Sequence, residues 1–129
     1  MKKLVILIPT FNESSTIVEQ LRKLEIYRSS STDEISVLVI DDNSPDATAD
    51  LVGNLNLSWV EVLRRPAKAG LGAAYRAGFA KVLGTNLFTH VVTMDADGSH
   101  RVEDLPAMIS AIKPGRSITL GARWIPGGN

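Results

Sequence analysis

The sequence predicts an α/β fold: an open, doubly wound sheet, mostly parallel, with helices on both faces. Three observations predict it. Short apolar runs alternate with helix-period segments along the whole chain. The runs are apolar throughout, as expected of strands covered on both faces. Acidic and turn-forming residues follow three of the runs, where sheets of this kind place their ligand crevices.

The elements follow in order. Leu4-Val5-Ile6-Leu7-Ile8 reads as the first buried strand. Ile17, Leu21 and Leu24 then share one side of a helix, with Asn12 or Ser14 as candidate caps. Residues 35–40, almost purely β-branched or Leu, predict the second strand. Ser44 suits the N-cap of the next helix and Pro45 its first position, with Leu51, Val52 and Leu55 as the buried stripe. Residues 59–63 predict a third strand. Residues 70–83 form an Ala-rich helix with Tyr75, Phe79 and Val82 on one side. Val91-Val92-Thr93-Met94 is the fourth strand, and Leu105, Met108, Ile109 and Ile112 mark the helix after it. A fifth strand is expected over residues 118–120. Beyond it, Trp124-Ile125-Pro126-Gly127-Gly128-Asn129 stops in turn formers, which reads as a chain cut rather than finished.

A chain of 129 residues that is 44% hydrophobic fits one globular domain, residues 1–129. Fourteen basic residues balance fourteen acidic ones, so no field of one sign is available to hold a nucleic-acid backbone. Cysteine is absent, which excludes disulfides, thiol catalysis and zinc–thiolate sites and is compatible with a cytoplasmic address. Met1-Lys2-Lys3 ahead of an apolar run resembles a signal peptide only faintly, because Pro9 and Asn12-Glu13 interrupt the run. No run approaches the roughly 20 apolar residues of a membrane span.

The candidate chemistry sits just after strands. The fourth strand ends in Asp95-Ala96-Asp97. Residues two apart in an extended segment point the same way, so both carboxylates face one spot, and two like charges there call for a cation or a shared proton. Pro9-Thr10-Phe11-Asn12-Glu13 follows the first strand and Asp41-Asp42-Asn43-Ser44 the second. A parallel sheet brings these three strand ends to one edge, gathering Glu13, Asp41, Asp42, Asp95 and Asp97. Helix N-capping is the alternative use of such residues. Oxygen ligands without Cys favour magnesium or manganese over zinc or copper. His100 suits a surface or capping role and His90 a structural one. Gly70-Leu71-Gly72 suits either a phosphate-cradling turn or a close helix–strand approach. Arg64, Arg65 and Lys68 before it read as a solvated face. Arg123 falls just past the fifth strand, where it suits a phosphate clamp or a surface ion pair. Phe11 and Trp124 read as rim or core packing.

Together these blocks resemble the family 2 inverting glycosyltransferases of the glycosyltransferase-A fold. Within that family they are most similar to the polyprenol-phosphate and dolichol-phosphate mannosyltransferases. The resemblance rests on Ile8-Pro9-Thr10-Phe11-Asn12-Glu13, on Val39 through Thr48, on Gly70-Leu71-Gly72-Ala73-Ala74-Tyr75, on Met94 through His100 and on Gly121-Ala122-Arg123-Trp124. It implies a Rossmann-like nucleotide-binding fold in which Pro9, Phe11 and Glu13 border the base and ribose. It implies that Ile40 and Asp42 contact the base beside Asp41. Asp95 and Asp97 would hold Mg or Mn against the diphosphate, with Ala96 lining the nucleotide and Ser99 beside the metal. Arg123 would sit near the diphosphate or the acceptor phosphate, which makes Asp95, Asp97 and Arg123 the catalytic candidates. The implied donor is GDP-mannose. The implied acceptor is a polyprenyl or dolichyl phosphate at the cytoplasmic face of a membrane.

Phe11 stands where the family usually has Tyr, and Gly98 where a larger apolar residue is usual. The family's acceptor-side second half is expected to be missing, and with it any peripheral membrane contact that it makes. Two other readings compete: a non-catalytic fragment that binds a nucleotide sugar, and a receiver-like domain phosphorylated at its Asp41-Asp42 pair. The receiver reading suffers because that pair follows the second strand, not the first.

Overall fold

The computed structural model describes residues 2–98 and 101–110 of the chain. Strands and helices alternate: β1 (Lys3–Thr10), α1 (Ile17–Ser30), β2 (Glu34–Asp41), α2 (Thr48–Asn54), β3 (Val60–Arg64), α3 (Leu71–Thr85) and β4 (His90–Thr93). A 3₁₀ turn at Val102–Asp104 then leads into α4 (Leu105–Ser110). All strand pairs are parallel, in the order β3-β2-β1-β4. The expected fifth strand at 118–120, Ile112 and residues 124–129 lie outside the described residues.

The period of two in a strand divides β1 between two cores. Leu4, Ile6 and Ile8 meet Ile17, Leu21 and Leu24 of α1, Val52 of α2, and Val102, Leu105 and Ile109. Val5 and Leu7 point the other way, where Leu38 and Ile40 of β2 pack against Ala74 and Val82 of α3. Each such side chain removed from water contributes about 1.5–3 kcal/mol. Gly78 sets how closely α3 approaches, since a methyl there would lie 2.5 Å from Ile40 Cδ1 and 3.3 Å from Leu7 Cδ1. The close contact expected near Gly70 and Gly72 is therefore made one helical turn and more further on.

Two helical stripes are rotated from the sequence expectation. Phe79 is 36% exposed, and α3 buries Ala74, Gly78 and Val82. Leu51 is 37% exposed, and α2 buries Thr48, Ala49 and Val52. The helix starts differ as well. Thr16, not Asn12 or Ser14, occupies the N-cap position of α1. Ser44 does not cap α2, because Asp41 takes both its amide and its hydroxyl, and the helix begins only at Thr48.

Sheet order creates the crevice. The chain runs outward from β1 to β2 and β3, then crosses back to set β4 on the other side of β1. That reversal is a topological switch point, and the loops leaving β1 and β4 diverge there. A receiver-like sheet would hold β1 between β2 and β3, so this order excludes that reading.

Candidate functional site

The loop after β1 carries Phe11, Asn12 and Glu13, and the segment after β4 carries Asp95, Ala96 and Asp97. β4 ends at Thr93, so the Asp pair lies just beyond the strand, with residues 96 and 97 in a turn. The inward–outward alternation persists past the strand end. Val92, Met94 and Ala96 are buried in the first core, while Asp95 is half-buried and Asp97 exposed. Gly98 follows with φ +84°, a conformation that glycine adopts freely.

Glu13 joins this pair electrostatically. Its carboxyl is raised above its ordinary value, first by burial and then by Asp97, with Asp46 and Asp95 adding and a hydrogen bond from the Phe11 amide opposing. The segments on either side of the switch point thus bring acidic side chains within electrostatic reach of one another. Tyr75 of α3 also lies within that reach. Its phenol is raised by burial and then by Asp95, against a hydrogen bond with the Thr93 hydroxyl.

The other expected residues divide by location. Asp41 is 2% exposed and accepts from Thr10 Oγ1 at 2.8 Å, Ser44 N at 3.0 Å and Ser44 Oγ at 2.6 Å. Asp42 accepts from Arg65 Nη1 at 3.0 Å, with side chains only 7% and 16% exposed. Ile40 buries its side chain under α3, and only its carbonyl reaches the rim, accepting from Thr10 Oγ1 at 3.4 Å. Pro9 is half-buried and pairs with Ile40 across the sheet. Phe11 receives the Lys68 ammonium 4.5 Å from its ring centroid, a cation–π contact that ties the loop after β3 to the loop after β1. Ser99, His100 and Arg123 lie outside the described residues.

Sequence reasoning missed Arg65 and Tyr75. Arg64 does sit on a solvated face, bonded to exposed Asp50 at 2.7 Å. Arg65, one residue on, turns inward because Arg64 is the last residue of β3 and pairs with Asp41. That register was the one signal separating two adjacent arginines. Tyr75 read as helix packing, since nothing local to α3 shows where β4 ends.

Among the described residues, no three His, Asp or Glu side chains converge closely enough to hold a metal by themselves. Two carboxylates still fit magnesium or manganese. Such ions bind through one or two carboxylates and take their remaining oxygens from substrate phosphates and water. The Glu13 carboxyl is raised first by burial and then by Asp97, with Asp95 adding, and a cation on those two carboxylates would relieve the electrostatic part.

The fold defines a class: an open parallel α/β sheet with acidic loops at its switch point, where such folds bind ligands. The chain belongs to glycosyl transferase family 2, whose sequence profile matches residues 5–129. It is 37% identical over 130 residues to the polyprenol monophosphomannose synthase of Mycolicibacterium smegmatis, covering 98% of this chain and 47% of that one. It is 38% identical over 128 residues to the undecaprenyl-phosphate mannosyltransferase of Micrococcus luteus, covering 98% of this chain and 50% of that one. The chain therefore spans about half the length of these relatives. A solved mannosyltransferase from Pyrobaculum calidifontis, in complex with GDP-Man and Mn2+, matches with a TM-score of 0.63 at 24% identity. It covers 82% of this chain and 30% of its own. That likeness is one of fold, the glycosyltransferase-A fold.

Proposed function

We propose that residues 1–129 form the donor-binding part of a metal-dependent inverting glycosyltransferase that moves mannose from GDP-mannose to a polyprenyl or dolichyl phosphate. The observation that carries the proposal is the placement of Asp95 and Asp97 just past β4, at the switch point of a family 2 chain, where Glu13 of the β1–α1 loop feels both charges. The names of the two bacterial relatives support the acceptor class, and the GDP-Man and Mn2+ of the solved neighbour support the donor and cofactor.

In this reading Asp95 and Asp97 hold the cation, with Ser99 beside it, and Ala96 lines the nucleotide. Pro9, Phe11 and Glu13 border the base and ribose, Ile40 and Asp42 meet the base, and Arg123 meets the diphosphate. A bound magnesium or manganese would neutralise charge on the departing diphosphate. The chain's own work is to hold that leaving group in line with the acceptor and to exclude water. A phosphate acceptor is already anionic, so the chemistry needs little help from a strong general base. Its oxygen bonds to the anomeric carbon as the bond to the diphosphate breaks, which inverts that centre. The acceptor in this reading is a membrane lipid, used at the cytoplasmic face. Among the described residues no helix is long and apolar enough to cross one.

The test is titration calorimetry of GDP with and without manganese. Wild-type chain should bind GDP in a manganese-dependent manner, and Asp97→Ala should lose that dependence. Undiminished manganese-dependent affinity in Asp97→Ala would refute the metal assignment.

A further inference from the structure

The β2–α2 loop carries Ser44-Pro45-Asp46-Ala47-Thr48, a run to which the donor-site reading gives no role. Three consecutive main-chain amides of the preceding loop are bonded to its side chains. Asn12 N donates to Ser44 Oγ at 3.0 Å, Glu13 N to Thr48 Oγ1 at 3.2 Å and Ser14 N to Asp46 Oδ2 at 3.1 Å. The spacing has a cause in the backbone. Residues 44, 46 and 48 present their polar atoms to one loop because Ala47 takes the left-handed conformation, φ +62°. That conformation costs a residue with a Cβ about 1–2 kcal/mol, so it persists where surrounding bonds over-determine it.

Both hydroxyls have a fixed polarity. Ser44 Oγ donates to Asp41 Oδ1 at 2.6 Å, and Thr48 Oγ1 donates to Asp46 Oδ1. A hydroxyl has one proton to give, so once a carboxylate holds it the oxygen is left as an acceptor. The Asn12 and Glu13 amides donate to those oxygens. Asp46 meanwhile also accepts from the Thr48 amide at 3.1 Å. Its carboxyl is held down to about 2, chiefly by the Thr48 hydroxyl. Thr48 itself is 0% exposed, so water does not compete for its hydroxyl.

The residues pinned in this way are the ones that carry ligand chemistry. Phe11 immediately precedes the pinned amides, and Glu13 supplies the carboxyl that shares the crevice with Asp95 and Asp97. Asn12 between them has φ +57°, so the loop turns sharply at the pinned segment. We propose that Ser44, Asp46 and Thr48 are positioning residues, which hold the β1–α1 loop so that Phe11 and Glu13 meet the donor nucleotide beside Asp95 and Asp97. They act through the loop and touch no ligand. The proposal rests on the donor-nucleotide reading above for its consequence, and on the hydrogen bonds alone for its cause.

The experiment compares Thr48→Val and Thr48→Ser in the whole chain. Its readouts are amide hydrogen exchange at Asn12, Glu13 and Ser14, manganese-dependent GDP affinity by calorimetry, and urea stability. In Thr48→Val the Glu13 amide should exchange about tenfold faster and GDP affinity should fall about tenfold, the worth of one buried hydrogen bond. Thr48→Ser should restore both, because it returns the hydroxyl. Two results would overturn the proposal: a wild-type exchange rate at Glu13 in Thr48→Val, or wild-type GDP affinity in a variant whose only change is lower stability. Should Thr48→Val not fold, Ser44→Ala poses the same question at Asn12. Should wild type bind no manganese–GDP, the donor reading falls, and exchange at the three amides alone decides whether these side chains fix the loop.

Discussion

Asp41 ends β2 with Asp42 just beyond it, and Asp95 and Asp97 follow β4, on either side of β1. In sequence both are pairs of acids at a strand end, adjacent in the first and two apart in the second. In the fold they carry their charge differently. Asp41 accepts three hydrogen bonds from Thr10 and Ser44, and Asp42 is paired with Arg65, all at low exposure. Asp95 and Asp97 instead act on Glu13, whose carboxyl they help to hold above its ordinary value. The first doublet is satisfied by the chain's own donors, neutral ones at Asp41 and the Arg65 guanidinium at Asp42, and joins neighbouring loops. The second adds to the charge that Glu13 feels across the switch point. A pair of acids at a strand end is therefore not a site by type alone, and the side chains facing it decide.

The contrast breaks most visibly at Asp41. Asp41→Ala should cost about 3 kcal/mol in urea titration, because Thr10 Oγ1 and the Ser44 amide and hydroxyl lose a charged acceptor together. Asp97→Ala is expected to leave metal-free stability within about 0.5 kcal/mol while losing manganese-dependent GDP binding. Equal losses of stability at the two positions would erase the distinction. A smaller effect is expected at Arg65→Met, about 2 kcal/mol, since Asp42 is left 7% exposed without its partner. Arg65→Lys should recover part of that, keeping the charge but not the planar fork. Full stability in Arg65→Met would show that Asp42 is solvated and belongs with the second doublet.

Much of this was legible in the sequence. β1 announces itself as an unbroken apolar run and β2 as one interrupted only by Ser36, and Ile17, Leu21 and Leu24 as one helical stripe, because both signals are local. The gathering of strand ends along one edge also follows from parallel alternation alone. Strand order does not, since the return to the far side of β1 is a long-range event, and that return is what sets Glu13 beside Asp95 and Asp97. Ser44 illustrates a second limit. Its position before Pro45 favours an N-cap, yet the Asp41 carboxylate three residues back holds it and delays α2 to Thr48. Arg65 illustrates a third, because only the pairing of Arg64 with Asp41 shows that Arg65 turns inward to Asp42.

The finest discrimination lies in the pH dependence of Glu13→Gln. The Glu13 carboxyl is raised from its ordinary 4.5, so the folded state binds its proton more tightly than the unfolded chain does. The stability that this proton contributes is fully present below the unfolded value and is lost as pH rises through the folded one. Gln carries no charge at any pH and so mimics the protonated form. At pH 3 the urea midpoints of wild type and Glu13→Gln should coincide. At pH 7 the variant should be more stable, by no more than about 0.5 kcal/mol after solvent screening. Manganese should narrow the gap, because a cation held by Asp95 and Asp97 offsets the charge that Glu13 feels from them. A gap that stays constant from pH 3 to pH 7 and ignores manganese would remove Glu13 from the crevice, and with it the feature that sets the second doublet apart from the first.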